Sequence, residues 1–247
     1  MRRVHVITEG AILLALFLVF MLFALYAPFI GTILLFVLPL PFMIYTIRHG
    51  HGMAFMLLIA ASILSILFGS VANILIAFTF GFSGLTMGYF YKKNQSMAAL
   101  IGGSIAYTIS IVISYIGVIV FFQIDPINDS IGILKESIEQ SKSMMTAIDP
   151  KIDVDKQFKG FEEGIKLIPT LTPTLFVSTG MLFALLSHLI AVPVLKRLKV
   201  GLSPLKPFRE WRLPVSIVWY YLIVSILLMI KHDQDSFYFM ALINLFF

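Results

Sequence analysis

Cysteine is absent from this chain of 247 residues, and charge is scarce: only 13% of side chains are charged. The first absence excludes disulfides and thiolate metal sites. The second is about half the globular share of roughly 25%, and it falls in blocks. No charged side chain lies between Gly10 and Ile47, Met53 and Tyr91, Asn94 and Ile124, Leu167 and Leu195, or Leu213 and Ile230. A water-soluble domain of this size cannot leave so much backbone without a solvated face. About 20 apolar residues cross a hydrocarbon core roughly 30 Å thick. What is present agrees: 59% hydrophobic residues and a mean hydropathy of +0.96. The chain is an all-α, polytopic transmembrane helical bundle, and length does not set its domain count.

Arg2 and Arg3 before an apolar run could mimic a signal peptide. The run is long for one, and Ala24–Pro28 makes a poor cleavage site, so the first segment is expected to stay. Membrane helices are expected near Glu9–Ala27, Phe29–Ile47, Met53–Phe68, Val71–Tyr91, Met97–Phe122, Pro169–Leu195 and Pro214–Ile230. Only Gly69-Ser70 separates the third from the fourth, and Pro39 and Pro41 should kink the second. An eighth segment starts near Phe237 and reaches only Phe247, too short to cross, which suggests a chain cut short.

Basic residues orient the bundle. With the N-terminus inside, Arg2, Arg3, Arg48, Lys92, Lys93, Lys196, Arg197, Lys199, Lys206, Arg209 and Arg212 all fall on the cytoplasmic side. The loop Gln123–Ile168 then lies outside, with six lysines against nine acids. Its apolar residues recur at helical spacings: Ile131, Leu134, Ile138, Met145 and Ile148, then Val154, Phe158, Phe161, Ile165 and Ile168. Asp149-Pro150 marks a turn between them. Two amphipathic helices in a hairpin follow. It could pack on itself and the membrane surface, close over an outward cavity, or dock a partner. The basic loop Lys196–Arg212, with Phe208 and Trp211 near its end, suits an anionic lipid surface. Ordinary topology explains its charges equally well, and docking to a cytoplasmic partner is the alternative.

Polar residues within membrane helices are candidates because lipid leaves them unsolvated. On the fifth helix, Ser104, Tyr107, Thr108, Ser110, Ser114 and Tyr115 share one side, opposite Ile105, Ile109, Val112, Ile113 and Ile116. On the sixth, Thr170, Thr174, Ser178 and His188 share a face, and Asn73 sits at the outer end of the fourth. Such groups stitch helices together or line a ligand pocket. The candidate substrate-binding set is Ser104, Tyr107, Thr108, Ser114, Tyr115, Thr174, Ser178, His188 and Asn73. The first two segments read as almost pure lipid-compatible surface. Glu9, at the inner edge of the first helix, can reach water or cap it. Ala11 and Ala15, and Gly81, Gly84 and Gly88, have the small-residue spacing of close helix contacts.

Catalytic motifs are nearly missing. There is no zinc-binding histidine pair, phosphate-binding glycine loop or intramembrane aspartate pair. Nothing calls for a cofactor, a metal or nucleic acid, and no enzymatic activity is expected. Gly81-Phe82-Ser83-Gly84 with His188 is similar to the serine–histidine dyad of rhomboid intramembrane proteases. Ser83, however, lies past the midpoint of its helix, and Ala191 stands where a glycine usually follows.

Thr8-Glu9-Gly10-Ala11 leading to Ala15, Leu38-Pro39-Leu40-Pro41, Arg48-His49-Gly50-His51-Gly52 and Gly81 through Lys93 follow one another in an informative order. Over residues 1–195 that order resembles a substrate-binding S component of energy-coupling-factor vitamin transporters. The resemblance implies that Ala11 and Ala15 face a transmembrane coupling subunit joined to ATPases, and that an unidentified small molecule enters beneath outer loops. The whole chain, through Thr8–Ala15, Pro39–Gly50 and Pro207–Pro214, more closely resembles the YybS-like bacterial integral membrane proteins. That family name brings no ligand, and its members have about eight helices rather than six. The expected organisation is an S-component-like bundle over 1–195 with 123–168 inserted, a basic loop 196–213, and further membrane helices over 214–247, in the plasma membrane. The expected function is small-molecule binding or uptake, and the alternative is a structural or regulatory protein acting through partners.

Overall fold

The computed structural model describes residues 2–68, 70–148, 153–203, 215–230 and 243–244. The turn expected at Asp149-Pro150, residues 204–214 of the basic loop and nearly all of the eighth segment lie outside them. The described residues form helices and their connections. Six helical stretches are long and apolar enough to cross a bilayer: Val4–Tyr26, Phe29–His49, His51–Phe68, Asn73–Lys92, Ser96–Phe122 and Val154–Arg197. By contact density the chain falls into two compact units, one of residues 1–117 and 176–210, the other of 118–175 and 211–247.

In the first unit, helix α1 (Arg2–Tyr26) ends where Pro28 forces its predecessor out of the helical region: Ala27 has φ −105° and ψ 102°. Pro28 then opens α2 (Pro28–Leu35) at the first helical position, where its missing N–H costs nothing. Pro39 and Pro41 do more than kink the second span. Phe36–Leu38 leave the helix, and α3 (Leu40–His49) starts afresh with Pro41 in its first turn. Gly50 alone separates α3 from α4 (His51–Ser65), and its φ of +90° makes that single-residue turn possible without strain. A 3₁₀ turn, Ile66–Phe68, follows. Then come α5 (Asn73–Lys92) and α6 (Ser96–Gly117), the latter running into a π turn at Val118–Phe122.

The second expected segment is not uniformly lipid-facing. In α2, Phe29, Ile30 and Ile33 are exposed, but every residue from Leu40 to Thr46 in α3 is buried. The cause sits on α5. Gly84 presses against the backbone of Pro39, and a Cβ at Gly88 would stand 2.8 Å from the Met43 carbonyl. Small-residue spacing thus seats α3 in a groove of α5, close enough that no side chain fits between them. The first helix is two-sided as well. Leu13, Phe17 and Met21 are buried, with Phe17 edge-on to Phe42 at 5.0 Å, while Val4, Ile7, Ile12 and Val19 point outward.

Helix α8 (Val154–Arg197) corrects the boundary expected at Pro169. It is one helix of 44 residues through Pro169, Pro173 and Pro193. Membrane helices tolerate proline where neighbouring groups satisfy the freed carbonyls. At 1.5 Å per residue it is about 66 Å long, twice a hydrocarbon core. Its charged first turns, Asp155 to Lys166, therefore cannot share the bilayer with its apolar remainder. Within the first unit, Phe183 of α8 meets Phe36, Phe80 and Tyr107, and Gly180 abuts Thr108.

In the second unit, α7 (Pro126–Ile148) and the start of α8 form the expected hairpin. Asp125 accepts hydrogen bonds from the backbone N–H groups of Ile127 and Asn128, and Asp153 from that of Lys156, so each helix has its own cap. Lys142 reaches across to Asp155 at 2.8 Å and Glu162 at 2.6 Å. These two hydrogen bonds, Asp155 first, push the Lys142 ammonium above its ordinary pKa. The apolar stripes meet only in part. Ile131, Val154 and Ile165 are buried, but Leu134, Ile148 and Phe161 stay exposed. Helix α9 (Val215–Ile230) completes the described elements.

Candidate functional site

The fifth expected helix, now α6, has the polarity read from its pattern. Ile105, Ile109, Ile113 and Ile116 are exposed, and Tyr107 and Ser110 are wholly buried. Two of its hydroxyls meet neighbouring helices. Tyr107 shares a 2.9 Å hydrogen bond with Ser187 of α8, and Ser114 a 3.0 Å one with Thr79 of α5. Ser104 and Thr108 donate back to their own helix, to the Leu100 and Ser104 carbonyls. Tyr115 stacks obliquely on Phe176 at 5.4 Å. Ser110 Oγ is buried without a hydrogen-bond partner among the described residues.

The remaining candidates scatter. His188 is buried and joined through Nδ1 to the Tyr91 hydroxyl at 2.6 Å, with the rings stacked. Asn73 donates to the Ser65 carbonyl at 3.5 Å. Ser178 is exposed. Thr174 belongs to the second unit, where it hydrogen-bonds Asn244. So α6 and the later part of α8 do face each other, through Tyr107–Ser187 and Thr108–Gly180. Their polar atoms stitch helices together rather than surround a shared space. Serine and threonine in lipid commonly do this, because an unpaired hydroxyl there has no water to turn to. The rhomboid-like pair is not assembled: Ser83 donates to the Thr79 carbonyl at 2.7 Å, and His188 is held by Tyr91.

Charge pairing, which received less weight in the sequence, builds a second place. Glu9 is the one acid between Met1 and Gly117, and no acid lies between Phe176 and Ser203. Its carboxylate takes the Arg48 guanidinium on one oxygen and His49 Nε2, at 2.7 Å, on the other. One turn deeper, the Tyr45 hydroxyl donates to the Val6 carbonyl and its ring covers Gly10. The start of α1 is thereby clasped to the end of α3. Beside the clasp lies a cavity of about 420 Å³, with His5, Thr8, Glu9 and Arg48 towards the helix ends and Leu13 and Ile44 deeper in. Among the described residues no cluster has the make-up of a metal site.

Tyr91, Ser187, Thr79, Arg48 and His49 are partners in these contacts that pattern reading passed over. A signal existed for the last two. A lone acid at one end of the first span and Arg-His at the corresponding end of the second sit at the same membrane depth. Lipid strongly favours their pairing. No signal marked Tyr91 as the partner of His188, since 97 residues separate them.

A family described as "Predicted membrane protein (DUF2232)" matches residues 15–247. A protein of Bacillus subtilis (strain 168), described as uncharacterized protein YybS, is 34% identical over 244 residues, which is 99% of this chain and 79% of the relative. No solved structure matches. The match spans both compact units, from the α1–α3 clasp to the hairpin and beyond, and the chain belongs to this DUF2232, YybS-like family of multi-pass membrane proteins.

Proposed function

We propose that the protein is a binding or uptake component of the plasma membrane that works while docked on a membrane partner, as energy-coupling-factor S components dock on their coupling subunit. The observation that carries this reading is the outward face of α1. Ala11 and Ala15 are both exposed, while Leu13, Phe17 and Met21 face the bundle. Exposed small side chains at this spacing let a second helix approach the α1 backbone closely. The partner would be a transmembrane subunit coupled to ATPases. Leucine at both positions (Ala11→Leu with Ala15→Leu) should abolish co-purification of such a pair after crosslinking in cells, with the variant still monodisperse. Equal recovery from wild type and variant would remove the reading.

A second reading, a structural or regulatory protein acting through other partners, is favoured by the hydroxyls of α6 and α8. Tyr107, Ser104, Thr108, Ser114 and Ser187 are engaged with their own helices or neighbours, which leaves little polarity for a solute. Thermal-shift screening against vitamins, nucleosides and peptides separates the two: stabilisation by any of them favours uptake. Orientation is part of the proposal, with the N-terminus cytoplasmic and the 123–168 hairpin outside. Since the chain has no cysteine, single cysteines placed at Lys93 and Lys156 can be labelled one at a time. An impermeant reagent on intact cells should reach position 156 and not position 93.

A further inference from the structure

The cavity beside the Glu9–Arg48 clasp has a feature that docking on a partner does not use. Helices α1 and α3 run antiparallel there: Glu9 meets Arg48, Gly10 meets Tyr45, and Phe17 meets Phe42. Polar groups therefore gather at the mouth, where His5, Thr8, Glu9 and Arg48 stand, and apolar ones at greater depth, where Leu13 and Ile44 stand. The surrounding charge is one-sided. A Cβ at Gly50 would lie 3.7 Å from Lys92 Nζ, which brings the end of α5 beside the end of α3. Leu198 lines the same cavity, and its neighbours Arg197 and Lys199 are exposed cations. Against these, among the described residues of this unit, stands one acid, Glu9.

We propose that this slot binds a phosphate group, from an anionic phospholipid headgroup or a free phosphate ester, with Arg48 as its principal donor. A guanidinium has five N–H donors in a planar fork, more than Glu9 can accept, and phosphate matches that fork in pairs. The Arg48 side chain is 46% exposed, so its remaining donors are within a ligand's reach. The exposed His5 ring supplies an N–H at the rim, beside Thr8, whose hydroxyl donates to the Val4 carbonyl. The apolar depth fits the first methylenes of an acyl chain, which weights the lipid source. Glu9 is the internal competitor: it holds Arg48 in place and opposes the incoming anion.

Full-length protein purified in mild detergent and reconstituted with phosphatidylglycerol or phosphatidylcholine provides the test, with bound lipid read by native mass spectrometry. Wild type should retain phosphatidylglycerol over phosphatidylcholine. Arg48→Gln should weaken that retention about tenfold, the loss of one charge-assisted pair. Glu9→Gln should strengthen it. Lys135→Gln, in the hairpin, should leave it unchanged. If Arg48→Gln does not fold, the exposed His5→Leu, which removes the ring N–H, should lower retention in the same direction. Displacement of the lipid by inorganic phosphate assigns the site to free phosphate. Resistance to displacement, with the lipid lost in Arg48→Gln, assigns it to the headgroup. Retention unchanged in both the Arg48 and the His5 variants, or lowered by Glu9→Gln, overturns the proposal.

Discussion

Glycines in the bundle and glycines in the hairpin are the same residue under opposite conditions. Gly81, Gly84, Gly88, Gly103 and Gly180 each touch a neighbouring helix so closely that a Cβ would collide. Gly132, Gly160 and Gly164 meet nothing within 4 Å. The first group exists to bring backbones together in a medium that supplies no hydrophobic drive between helices. The second lies on a charged hairpin, where exposed Leu134 and Phe161 border an apolar groove of about 480 Å³. Where glycine is packed, van der Waals contact holds the structure. Where it is not, two caps and the buried Ile131, Val154 and Ile165 do, with a small addition from the Lys142 clasp.

That contrast can be broken most forcefully at Gly84. Leucine there would meet the Pro39 backbone, which cannot turn aside as a side chain can, so Gly84→Leu should destabilise by about 3 kcal/mol or more. Thermal unfolding in detergent measures it, and a near-normal melting temperature would mean that α3 and α5 are not locked as described. A smaller loss is expected from Tyr107→Phe, which leaves Ser187 without its 2.9 Å partner. Interhelical hydrogen bonds in membranes average about 0.6 kcal/mol. The same melting experiment reads it.

In the hairpin the sign reverses. Gly160→Ala and Gly164→Ala should each stabilise the helix by about 0.5 to 1 kcal/mol, seen as slower hydrogen exchange of the α8 amides near them. Faster exchange would mean that something fills the groove tightly. The smallest effect concerns Lys142. Its pKa is raised, so its contribution is complete below the ordinary lysine value and is lost only as pH rises through the higher folded one. Protection of the hairpin should therefore be flat from about pH 7 to 9, a range below both values. Lys142→Met should reduce protection only modestly, because the Asp155 and Glu162 carboxylates stand in water that screens them.

Legibility followed the same division. The isoleucine side of α6 was readable because hydroxyls marked the other side, and four of its five isoleucine and valine positions are exposed as expected. The Leu40–Thr46 stretch carried no such mark. Apolar side chains suit lipid and protein interior equally, so its burial could not be read until the α5 glycines were placed against it. Pro169 misled for a related reason. In water it would be a sound helix boundary, but inside a membrane protein the chain continues through it. The candidate set was legible as polar within membrane helices, though only Tyr107, His188 and Asn73 are buried, and its meaning depended on partners far along the chain: Tyr91 for His188, Ser187 for Tyr107, Thr79 for Ser114.

The sequence by itself determined the solvent. Blocks without charge admit only lipid, and helical periodicity within them follows because backbone groups there must pair internally. The tertiary structure decided which apolar faces are inside, and it turned a scatter of hydroxyls into helix-to-helix bonds. It also joined Glu9 to Arg48 and His49. Hydrophobicity is a property of a segment alone, whereas burial and pairing belong to two segments at once, and only the packed chain brings them together.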